Sequence, residues 1–321
     1  MNQTTQKIYL SLLNHPDKPL SGEKLAEGLG ISRAAVWKSI QDLKLAGYNI
    51  ISIKGTGYLL AESDVLNAEN IKHHFSADNL IETLFLVERS ASTQQDAKEA
   101  LLTSLPNYSL FLAKNQTLAH GRFKRDYFAA ENQGIYMSLV IKPEQKFQEM
   151  PQYTILAATA IVKAIKKLTQ IDTQIKWVND IYLNGKKLAG ILSEATTSME
   201  TGQINQVIIG IGLNFSIHQT DFPEAIRDKA TSLFADTTPT ITKNRLIAEI
   251  WNQFFALINT DFLKIYKETS FVLGKEVSFV KNNQMLSGRA IDITDMGELV
   301  VLLDSQERLL LSSGEISLTS F

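Results

Sequence analysis

The segment KNQTLAHGRFKRDYF, residues 114–128, gathers cations around a single glycine. His120, Arg122, Lys124 and Arg125 fall within six positions, and little apolar periodicity accompanies them, which is typical of a loop. Such a loop supplies backbone N–H groups and forked guanidinium donors, which fit phosphate or carboxylate oxygens. The sequence therefore predicts an anion-binding loop, and the alternative is an ordinary solvated run of charges.

A second segment, IKWVNDIYLNGKKLAGIL, residues 175–192, has a hairpin pattern with charges at internal positions. Two apolar runs meet at Asn184–Gly185, which is a strong signal for a tight turn. Uninterrupted alternation along the first run would put charged and apolar side chains on one face: Lys176, Val178, Asp180 and Tyr182. Lys187 lies where the next strand enters the interior. A half-buried lysine near a carboxylate suits an anionic ligand, and a solvated strand end is the alternative.

A third segment, SASTQQDAK, residues 90–98, places hydroxyl and amide groups at the predicted start of a helix. Ser92, Thr93 and Gln94 could hydrogen-bond a polar ligand at this point. Helix capping alone would also explain Ser92 or Thr93. Because ordinary packing explains the three segments together poorly, they hold the candidate functional residues.

The composition sets the class of protein that must position these residues. The chain has 321 residues, of which 44% are hydrophobic and 21% charged, and this predicts two or three folded domains. The formal net charge is −2, so a nucleic-acid surface would have to be local. Cysteine is absent, which excludes disulfides, thiolate metal sites and a cysteine nucleophile. No apolar stretch approaches the roughly 20 residues that cross a bilayer, so we expect a cytoplasmic protein without a membrane partner.

Residues 1–60 have the pattern of a winged helix. A first apolar helix ends before a proline-containing loop, a short second helix follows Ser21 and ends at Gly30, and a third follows Ser32. Two helices joined by a glycine turn form a helix-turn-helix, whose second helix enters the major groove of DNA. The alternating segment YNIISIKGTGYLL, residues 48–60, predicts the hairpin wing.

The charge of this region favours DNA as its partner, because it holds seven Lys or Arg against four Asp or Glu. The predicted DNA-contacting residues are Ser32, Arg33, Ala34, Trp37, Lys38 and Lys54. A protein–protein module is the alternative, since winged helices also serve that purpose. One copy would bind DNA weakly, and recognition of an operator therefore predicts a homodimer formed through the larger domain.

The rest of the chain predicts an α+β architecture. Strand-like and helix-like segments alternate from residue 66 to residue 270, which indicates a central mixed sheet with helices packed against it. No GxxxxGK[ST], GxGxxG, GxSxG or HExxH motif occurs, and the five histidines lack metal-ligand spacing, so no protein-bound metal is predicted. Short alternating strands after residue 271, separated by Asn–Asn, Met–Gly and Ser–Gln turns, predict a small barrel. The expected domains are 1–65, 66–270 and 271–321.

Taken together, these segments resemble the biotin–protein ligases, specifically the bifunctional kind that carries a winged helix and represses biotin genes. STQQDAK is similar to the family's STN-x-x-A-K segment, and QTLAHGRFKRDY to its Q-T-x-G-R-G-R-x-G-R-x-W loop. KWVNDIYLNGKKLAGIL resembles the K-W-P-N-D and K-L-x-G-I-L hairpin. GIGLNF is similar to the G-I-G-x-N strand, and GEISL to the closing G-E-[IV]-S-L.

The resemblance implies a fold and an activity. The central domain would have the class II synthetase-like fold of the biotin and lipoate ligases, and the C-terminal domain would be an SH3-like barrel. Biotin and ATP, with Mg²⁺, would give biotinyl-5′-AMP and pyrophosphate. A lysine of a biotin acceptor domain, such as the carrier domain of a carboxylase, would then take the biotinyl group. Operator DNA and a homodimer, formed when the adenylate is bound, are the other implied partners.

The resemblance also implies roles for individual residues. Those implied in catalysis are Lys187, Arg122, Arg125, Lys176 and Asp180. Those implied in biotin binding are Ser92, Thr93, Gln94, Gln116, His120, Gly121, Arg122, Lys187 and Gly190. Those implied in ATP binding are Arg122, Arg125, Lys176, Asn179, Lys187 and Asn214. Lys187 would bridge the carboxylate and the α-phosphate, and Asp180 would assist metal binding, orient Lys187 or help the acceptor lysine lose its proton.

The chain departs from the family pattern at several positions. Ala119 and His120 stand where the family usually has Gly and Arg, Lys124 replaces a Gly, and Tyr127 replaces a Trp. The other departures are Gln94 for Asn, Val178 for Pro, and Thr319 where some members have Arg. A donor role for the histidine would depend on pH, because its side chain titrates near neutrality.

The departures keep two alternatives to the ligase–repressor open. One is a biotin-sensing transcription regulator with impaired catalysis, and the other is a ligase for lipoate or octanoate that shares the catalytic fold. If the protein is the ligase–repressor, water must be kept from biotinyl-5′-AMP, which is a mixed anhydride. We then expect the loop at residues 120–125 to order over the adenylate and to be disordered between turnovers.

Overall fold

The computed structural model describes residues 1–143, 150–197, 204–312, 314 and 316–318. These residues form two compact units. The first unit comprises Met1–His74 and Thr242–Ala248, and the second comprises Phe75–Ile241 and the described residues from Glu249 onward. The domain boundaries predicted from the sequence stay predictions, and Thr319 lies outside the described residues.

The first unit contains the helices and the hairpin that the sequence predicts. Its elements are α1 (Gln3–Leu13), α2 (Gly22–Leu29), α3 (Arg33–Leu45), β1 (Ile50–Ile53), β2 (Gly57–Leu60) and α4 (Ala68–His73). Ser21 and Ser32 begin α2 and α3 by accepting hydrogen bonds from backbone N–H groups three residues on, at 3.1 Å in both helices. Gly30 ends α2 in the left-handed region with φ 65°. The predicted winged helix is confirmed.

A small apolar core holds the winged helix together. Ile8, Leu12, Ile40 and Leu43 are at most 1% exposed and bring α1 against α3. Burial of each such side chain stabilises the fold by about 1.5–3 kcal/mol. Gly57 lets the wing approach the segment that precedes α2, because a Cβ there would lie 2.1 Å from the backbone oxygen of Leu20.

A seven-stranded sheet forms the centre of the described second unit. Its strands are β3 (Thr83–Ser90), β4 (Ser109–Gln116), β5 (Gly134–Ile141), β6 (Gln174–Lys176), β7 (Asp180–Leu183), β8 (Lys186–Thr197) and β9 (Ile204–Asn214). The spatial order is β3-β4-β5-β9-β8-β7-β6, in which β3 and β4 are parallel and the other neighbours antiparallel. The predicted mixed sheet is therefore confirmed.

Helices pack against the central sheet. The helices that follow α4 in the chain are α5 (Thr93–Ala100), α6 (Met150–Thr169), α7 (Glu224–Arg227), α8 (Lys243–Leu257) and α9 (Phe262–Thr269), and residues 243–248 of α8 belong to the first unit. Strand β5 is buried at every position, as expected for a strand covered on both faces. Helix α5 packs against β4, β5 and β9, while α6 packs against β6 to β9. The start of α5 is thereby fixed over the middle of the sheet.

A second, antiparallel sheet lies at the C-terminal end of the chain. Its strands are β10 (Glu276–Lys281), β11 (Gln284–Ile293), β12 (Leu299–Leu303), β13 (Arg308–Leu311) and β14 (Ile316–Leu318). The predicted Asn282–Asn283 turn adopts positive φ at both residues, 51° and 60°. This sheet contacts the central one, because Trp177 Nε1 donates a 3.0 Å hydrogen bond to the backbone oxygen of Gly297.

One prediction about the hairpin at residues 175–192 is wrong. The first run does not alternate without interruption, because Lys176 pairs with Asp180 and the chain turns between β6 and β7. Contacts distant in sequence hold this turn: Trp177 bonds Gly297, and the Tyr266 hydroxyl donates to the backbone oxygen of Val178 at 3.0 Å. The predicted turn at Asn184–Gly185 is confirmed by φ values of 51° and 75°.

Candidate active site

A cavity of about 650 Å³ lies in the second unit, bordered by the start of α5, the loop after β4, the β6–β8 hairpins and β9. All the residues that the resemblance assigns to biotin line it: Ser92, Thr93, Gln94, Gln116, His120, Gly121, Arg122, Lys187 and Gly190. Arg125, Lys176, Asn179 and Asp180 line it too. The three segments that stand out in the sequence therefore meet at one site.

Lys187 reaches this cavity because of a local irregularity in the hairpin. The β7–β8 register shifts between Ile181 and Tyr182, and a Cβ at Gly190 would lie 3.4 Å from the Lys187 amine. The side chain can therefore fold back along its own strand. Its Nζ lies 2.7 Å from Asp180 Oδ1, as an ion pair without the alignment of a hydrogen bond. At 37% and 21% exposure, such a pair contributes at most about 1 kcal/mol to stability and mainly fixes position.

Arg122 is held by the residue that precedes Asp180. Its Nη1 donates to Asn179 Oδ1 at 3.2 Å, and Asn179 Nδ2 donates in turn to the backbone oxygen of Ile191 at 2.9 Å. The guanidinium carbon also lies 5.3 Å from the centre of the Phe123 ring, within range of a cation–π contact. Arg122 and Lys187 therefore approach the cavity from a loop and a strand, and the Asn179–Asp180 pair connects them.

The loop that carries Arg122 folds back on itself. The Gly121 N–H donates to the Arg125 oxygen at 2.8 Å, and the Tyr127 N–H donates to the Ala119 oxygen at 3.0 Å. His120, Arg122 and Arg125 line the cavity, whereas Lys124, between Arg122 and Arg125 in the chain, is exposed and does not. The loop thus directs part of its charge inward. Its predicted disorder between turnovers stays a prediction.

The start of α5 forms a buried polar wall. Ser92, Thr93 and Gln94 are 6%, 3% and 4% exposed. Ser92 makes no side-chain capping hydrogen bond, so capping does not explain it. The Thr93 N–H donates to Gln116 Oε1 at 2.7 Å, and the Thr93 hydroxyl lies 2.9 Å from Ser138 Oγ. These hydrogen bonds fix the orientation of the Thr93 backbone and hydroxyl.

Two glycines of β9 make room for the side chains of this wall and of the loop. A Cβ at Gly210 would lie 2.5 Å from Gln94 Oε1, and one at Gly212 would lie 2.6 Å from Tyr127 Cζ. Both glycines line the cavity, although neither was predicted from the sequence to belong to it. Two glycines inside a buried strand are a signal of close approach that could have identified them.

Asn214 is not among the residues that line the cavity. Its Oδ1 accepts a 3.3 Å hydrogen bond from the Tyr127 hydroxyl, and its Nδ2 donates to the backbone oxygen of Thr231 at 2.9 Å. Tyr127 lines the cavity, and burial, with smaller contributions from Tyr136 and Asp180, raises its pKa well above the usual value. Its phenol is therefore a neutral hydrogen-bond donor, which Asn214 holds in place.

Basic residues outnumber acidic ones in the lining. The cations are Arg122, Arg125, Lys176, Lys187 and Lys229, His120 lies among them, and the acidic residues are Asp126 and Asp180. Lys229 was not singled out in the sequence, where an isolated surface lysine carries no signal. Across the described part of the chain, no cluster of three or more His, Cys, Asp or Glu could bind a metal ion. The site is suited to hold an anion together with a polar ligand.

The first unit presents the predicted DNA-contacting residues on its surface. Arg33, Ala34 and Lys38 are exposed on α3, and Trp37 beside them is 59% exposed. Lys54 is exposed in the turn between β1 and β2. Ser32 serves as the cap of α3. None of the helices that can be described is both long and apolar enough to span a membrane.

Comparison with known proteins accounts for all three regions. Residues 4–59 match a helix-turn-helix domain, residues 86–214 the biotin/lipoate A/B protein ligase family, and residues 272–319 the biotin protein ligase C-terminal domain. Biotin protein ligase from Aquifex aeolicus, solved in complex with biotin and ATP, superposes with a TM-score of 0.63 at 24% identity, over 74% of this chain and 99% of that one. That likeness confirms the predicted fold.

Similar sequences extend over nearly the whole chain. The bifunctional ligase/repressor BirA of Bacillus spizizenii is 33% identical over 316 residues, which cover 96% of each protein. BirA of Bacillus subtilis is 32% identical over the same shares, and BirA of Escherichia coli is 26% identical over 94% of this chain and 93% of its own. The chain therefore belongs to the biotin–protein ligase family, as a biotin ligase that carries a helix-turn-helix repressor domain.

Proposed function

We propose that this protein activates biotin with ATP to give biotinyl-5′-AMP and pyrophosphate, and that it then transfers the biotinyl group to a lysine of a carboxylase's biotin acceptor domain. The observation that carries this proposal is the meeting of Lys187 with Arg122, Arg125 and Lys176 at one cavity. Their convergence matters because both reacting groups of the first step are anions.

Adenylation requires that an oxygen of the biotin carboxylate attack the α-phosphorus while the bond to the pyrophosphate oxygen breaks. Two unit charges 4 Å apart repel by about 4 kcal/mol at an effective dielectric constant of 20. Lys187 and Arg122 would offset this repulsion by donating hydrogen bonds to the oxygens on which negative charge gathers. Arg125 and Lys176 would hold the departing phosphates. If Mg²⁺ binds together with ATP, Asp180 is a carboxylate of the lining that would help to hold it, and the ion would supply further positive charge to the phosphates.

Biotin would lie with its carboxylate toward Lys187 and its ureido ring against Ser92 and Thr93 of the polar wall and the neighbouring Gln116. These side chains are buried or half-buried and carry donors and acceptors in fixed positions. The fixed positions of these donors and acceptors support recognition of a rigid polar ring. Lys187 must instead be able to move as bonds change, and its half-buried position supports such adjustment.

Transfer requires that the amine of the acceptor lysine attack the carbonyl carbon of the adenylate, that the bond from this carbon to the AMP oxygen break, and that the amine give up a proton to solvent. Of the three roles that the sequence leaves open for Asp180, the 2.7 Å contact with Lys187 supports orientation of that lysine. The loop at residues 120–125 would exclude water from the mixed anhydride until the acceptor arrives.

Repression would follow from the same intermediate. If the bound adenylate favours a homodimer, the dimer presents two winged helices to an operator with two half-sites, and operator DNA in turn favours the adenylate-bound state. The exposed Arg33, Trp37 and Lys38 support DNA as the partner of α3. The expected location for both activities is the cytoplasm.

Pyrophosphate release tests the proposed function. Purified protein with ATP should release pyrophosphate when biotin is added and not when octanoate or lipoate is added. Binding of biotin without pyrophosphate release would instead identify a sensor with impaired catalysis. The departures from the family pattern at Ala119, His120 and Lys124 are the reason for testing this alternative. Release with octanoate or lipoate, but not with biotin, would identify a ligase of the other specificity.

A further inference from the structure

A chain of hydrogen bonds leads from the surface of α5 to the polar wall of the cavity. Lys98 Nζ lies 2.9 Å from Glu194 Oε1 and 2.8 Å from Oε2. Gln94 Nε2 donates to Glu194 Oε2 at 2.9 Å, and Ser138 Oγ lies 3.0 Å from Gln94 Oε1. The Thr93 hydroxyl completes the chain at 2.9 Å from Ser138 Oγ. Helix α5, β5 and β8 are thus joined by five consecutive side chains.

The acceptors around the Gln94 amide decide which way it faces. Ionised Glu194 can only accept hydrogen bonds, so the NH₂ group of Gln94 must point toward it. The backbone oxygens of Leu192 and Ile208, 3.4 and 3.3 Å from Nε2, favour the same orientation. Gln94 Oε1 is therefore turned toward Ser138.

The direction of the remaining hydrogen bonds follows. Ser138 has one hydroxyl hydrogen, and it goes to Gln94 Oε1. The bond between Ser138 and Thr93 must then be donated by Thr93. Because the hydrogen of Thr93 is already used, its oxygen can offer only lone pairs to the cavity that it lines.

Glu194 maintains these hydrogen-bond directions because its carboxylate stays ionised. Burial raises its pKa, but hydrogen bonds from Lys98 and Gln94, together with the charges of Lys98 and His120, outweigh burial and hold the pKa below its usual value. A neutral group at this position could donate to Gln94 Oε1 and let the amide turn over. The order of donors would then reverse as far as Thr93.

We propose that Glu194 and Lys98 are positioning residues that make the Thr93 hydroxyl an obligate acceptor, so that this wall selects a ligand presenting an N–H group, such as a cyclic urea. The inference rests on the proposed function, in which the ring of biotin supplies the N–H. It adds two residues outside the predicted site, and only Lys98 belongs to a family segment. Fatty-acid ligands such as octanoate offer no donor and would leave the Thr93 oxygen unpaired.

Glu194→Gln tests the proposal with little change in shape. Calorimetric titration should show biotin binding weakened about ten- to a hundredfold, the effect expected when a buried polar group loses its partner. An analogue with ring oxygens in place of the two ureido nitrogens should lose much less, so that the preference for biotin over this analogue collapses. Glu131→Gln is the matched control, since Glu131 makes an exposed pair with Arg89 and should bind biotin as the wild type does.

Ser138→Ala removes the middle of the chain and frees the Thr93 hydrogen, so it should weaken biotin binding by a similar factor. Because both changes act through one chain, adding Glu194→Gln to Ser138→Ala should cost little more. The proposal would be overturned if Glu194→Gln preferred biotin over the analogue as strongly as the wild type does. It would also be overturned if the losses of biotin affinity simply added in the double variant. Either result would leave the proposed function intact. If Glu194→Gln does not fold, Ser138→Ala with the analogue decides alone. Failure of the wild type to bind biotin would overturn both.

Discussion

The two ends of the cavity solve different physical problems. The cationic end consists of Arg122, Arg125, Lys176 and Lys187, which are half-buried or exposed and come from a loop and a hairpin. The polar end consists of Ser92, Thr93, Gln94 and Ser138, which are at most 6% exposed and are fixed by strands and a helix. Under the proposed function, the charged side chains must adjust as bonds change, and their exposure to solvent allows this. The buried side chains would recognise the rigid ring of biotin, and hydrogen bonds that lead to Glu194 fix the donors and acceptors of Gln94, Ser138 and Thr93.

Lys187→Met should give the largest effect and should distinguish the two ends by impairing adenylate formation much more than biotin binding. Loss of its donated hydrogen bonds should slow formation of biotinyl-5′-AMP about a hundred- to a thousandfold, the usual effect of removing a donor to developing negative charge. Single-turnover synthesis of the adenylate measures this. Biotin binding should weaken less than adenylate formation slows, because only the contact with the carboxylate is lost and the polar end that would hold the ureido ring is untouched. Lys186→Met, at a neighbouring position that does not line the cavity, is the control, and an equally slow Lys186→Met would refute the assignment.

Gly210→Ala should have the opposite pattern, in which the polar end is impaired and the cationic end is not. Its Cβ would lie 2.5 Å from Gln94 Oε1 and force that side chain off its partners. Overpacking of this kind costs about 1–3 kcal/mol. Biotin affinity should fall about tenfold or more by calorimetry, while ATP binding stays near the wild-type value. Gly28→Ala, where a Cβ meets nothing within 4 Å, is the control. Unchanged biotin affinity in Gly210→Ala would show that the polar end does not bind the ring.

Arg122→Ala should affect the intermediate more than the substrate. Arg122 reaches the cationic end through its hydrogen bond to Asn179, so its loss should speed release of the adenylate about ten- to a hundredfold, in line with the strength of charge-assisted hydrogen bonds. Retention of labelled adenylate on a filter measures the release rate. Lys124→Ala, on the same loop but outside the cavity lining, should release it at the wild-type rate. Equal weakening of biotin and adenylate in Arg122→Ala would contradict this role.

The smallest effect should arise away from both ends, on α3. Lys38→Ala should reduce the salt dependence of duplex DNA binding by about one counterion, as expected for one lost phosphate contact. Fluorescence anisotropy across a salt series gives the slope. Adenylate synthesis should be unaffected. Lys7→Ala, an exposed lysine on α1, should leave the slope unchanged, and an identical decrease in both variants would mean that α3 is not the DNA-contacting helix.

Most of the fold could be predicted because its signals are local. Ser21, Ser32 and Gly30 mark helix ends by chemistry that acts within a few residues, and Asn184–Gly185 marks its turn in the same way. The turn at Trp177 escaped prediction because its partners, Gly297 and Tyr266, lie about 90 residues or more away along the chain. No pattern within the segment records such contacts.

The same distinction holds for the candidate site. Arg122 and Lys187 stand out because clustered charge and a charged residue beside an apolar strand are visible in the sequence. Glu194 and Ser138 were not singled out, because one acidic residue or one serine in a strand looks like any other. Their importance depends on Gln94, which meets Glu194 across 100 residues. Side chains that act through other side chains need the folded structure to be recognised.

Exchange of labelled pyrophosphate into ATP tests the proposed role of these cations most directly, since it reports reversible adenylate formation without an acceptor protein. Wild-type protein should exchange label only when biotin is present, and Lys187→Met should lose the exchange while still binding biotin. Exchange that proceeds without biotin, or that survives in Lys187→Met at the wild-type rate, would contradict the account that these cations bring the two anions together.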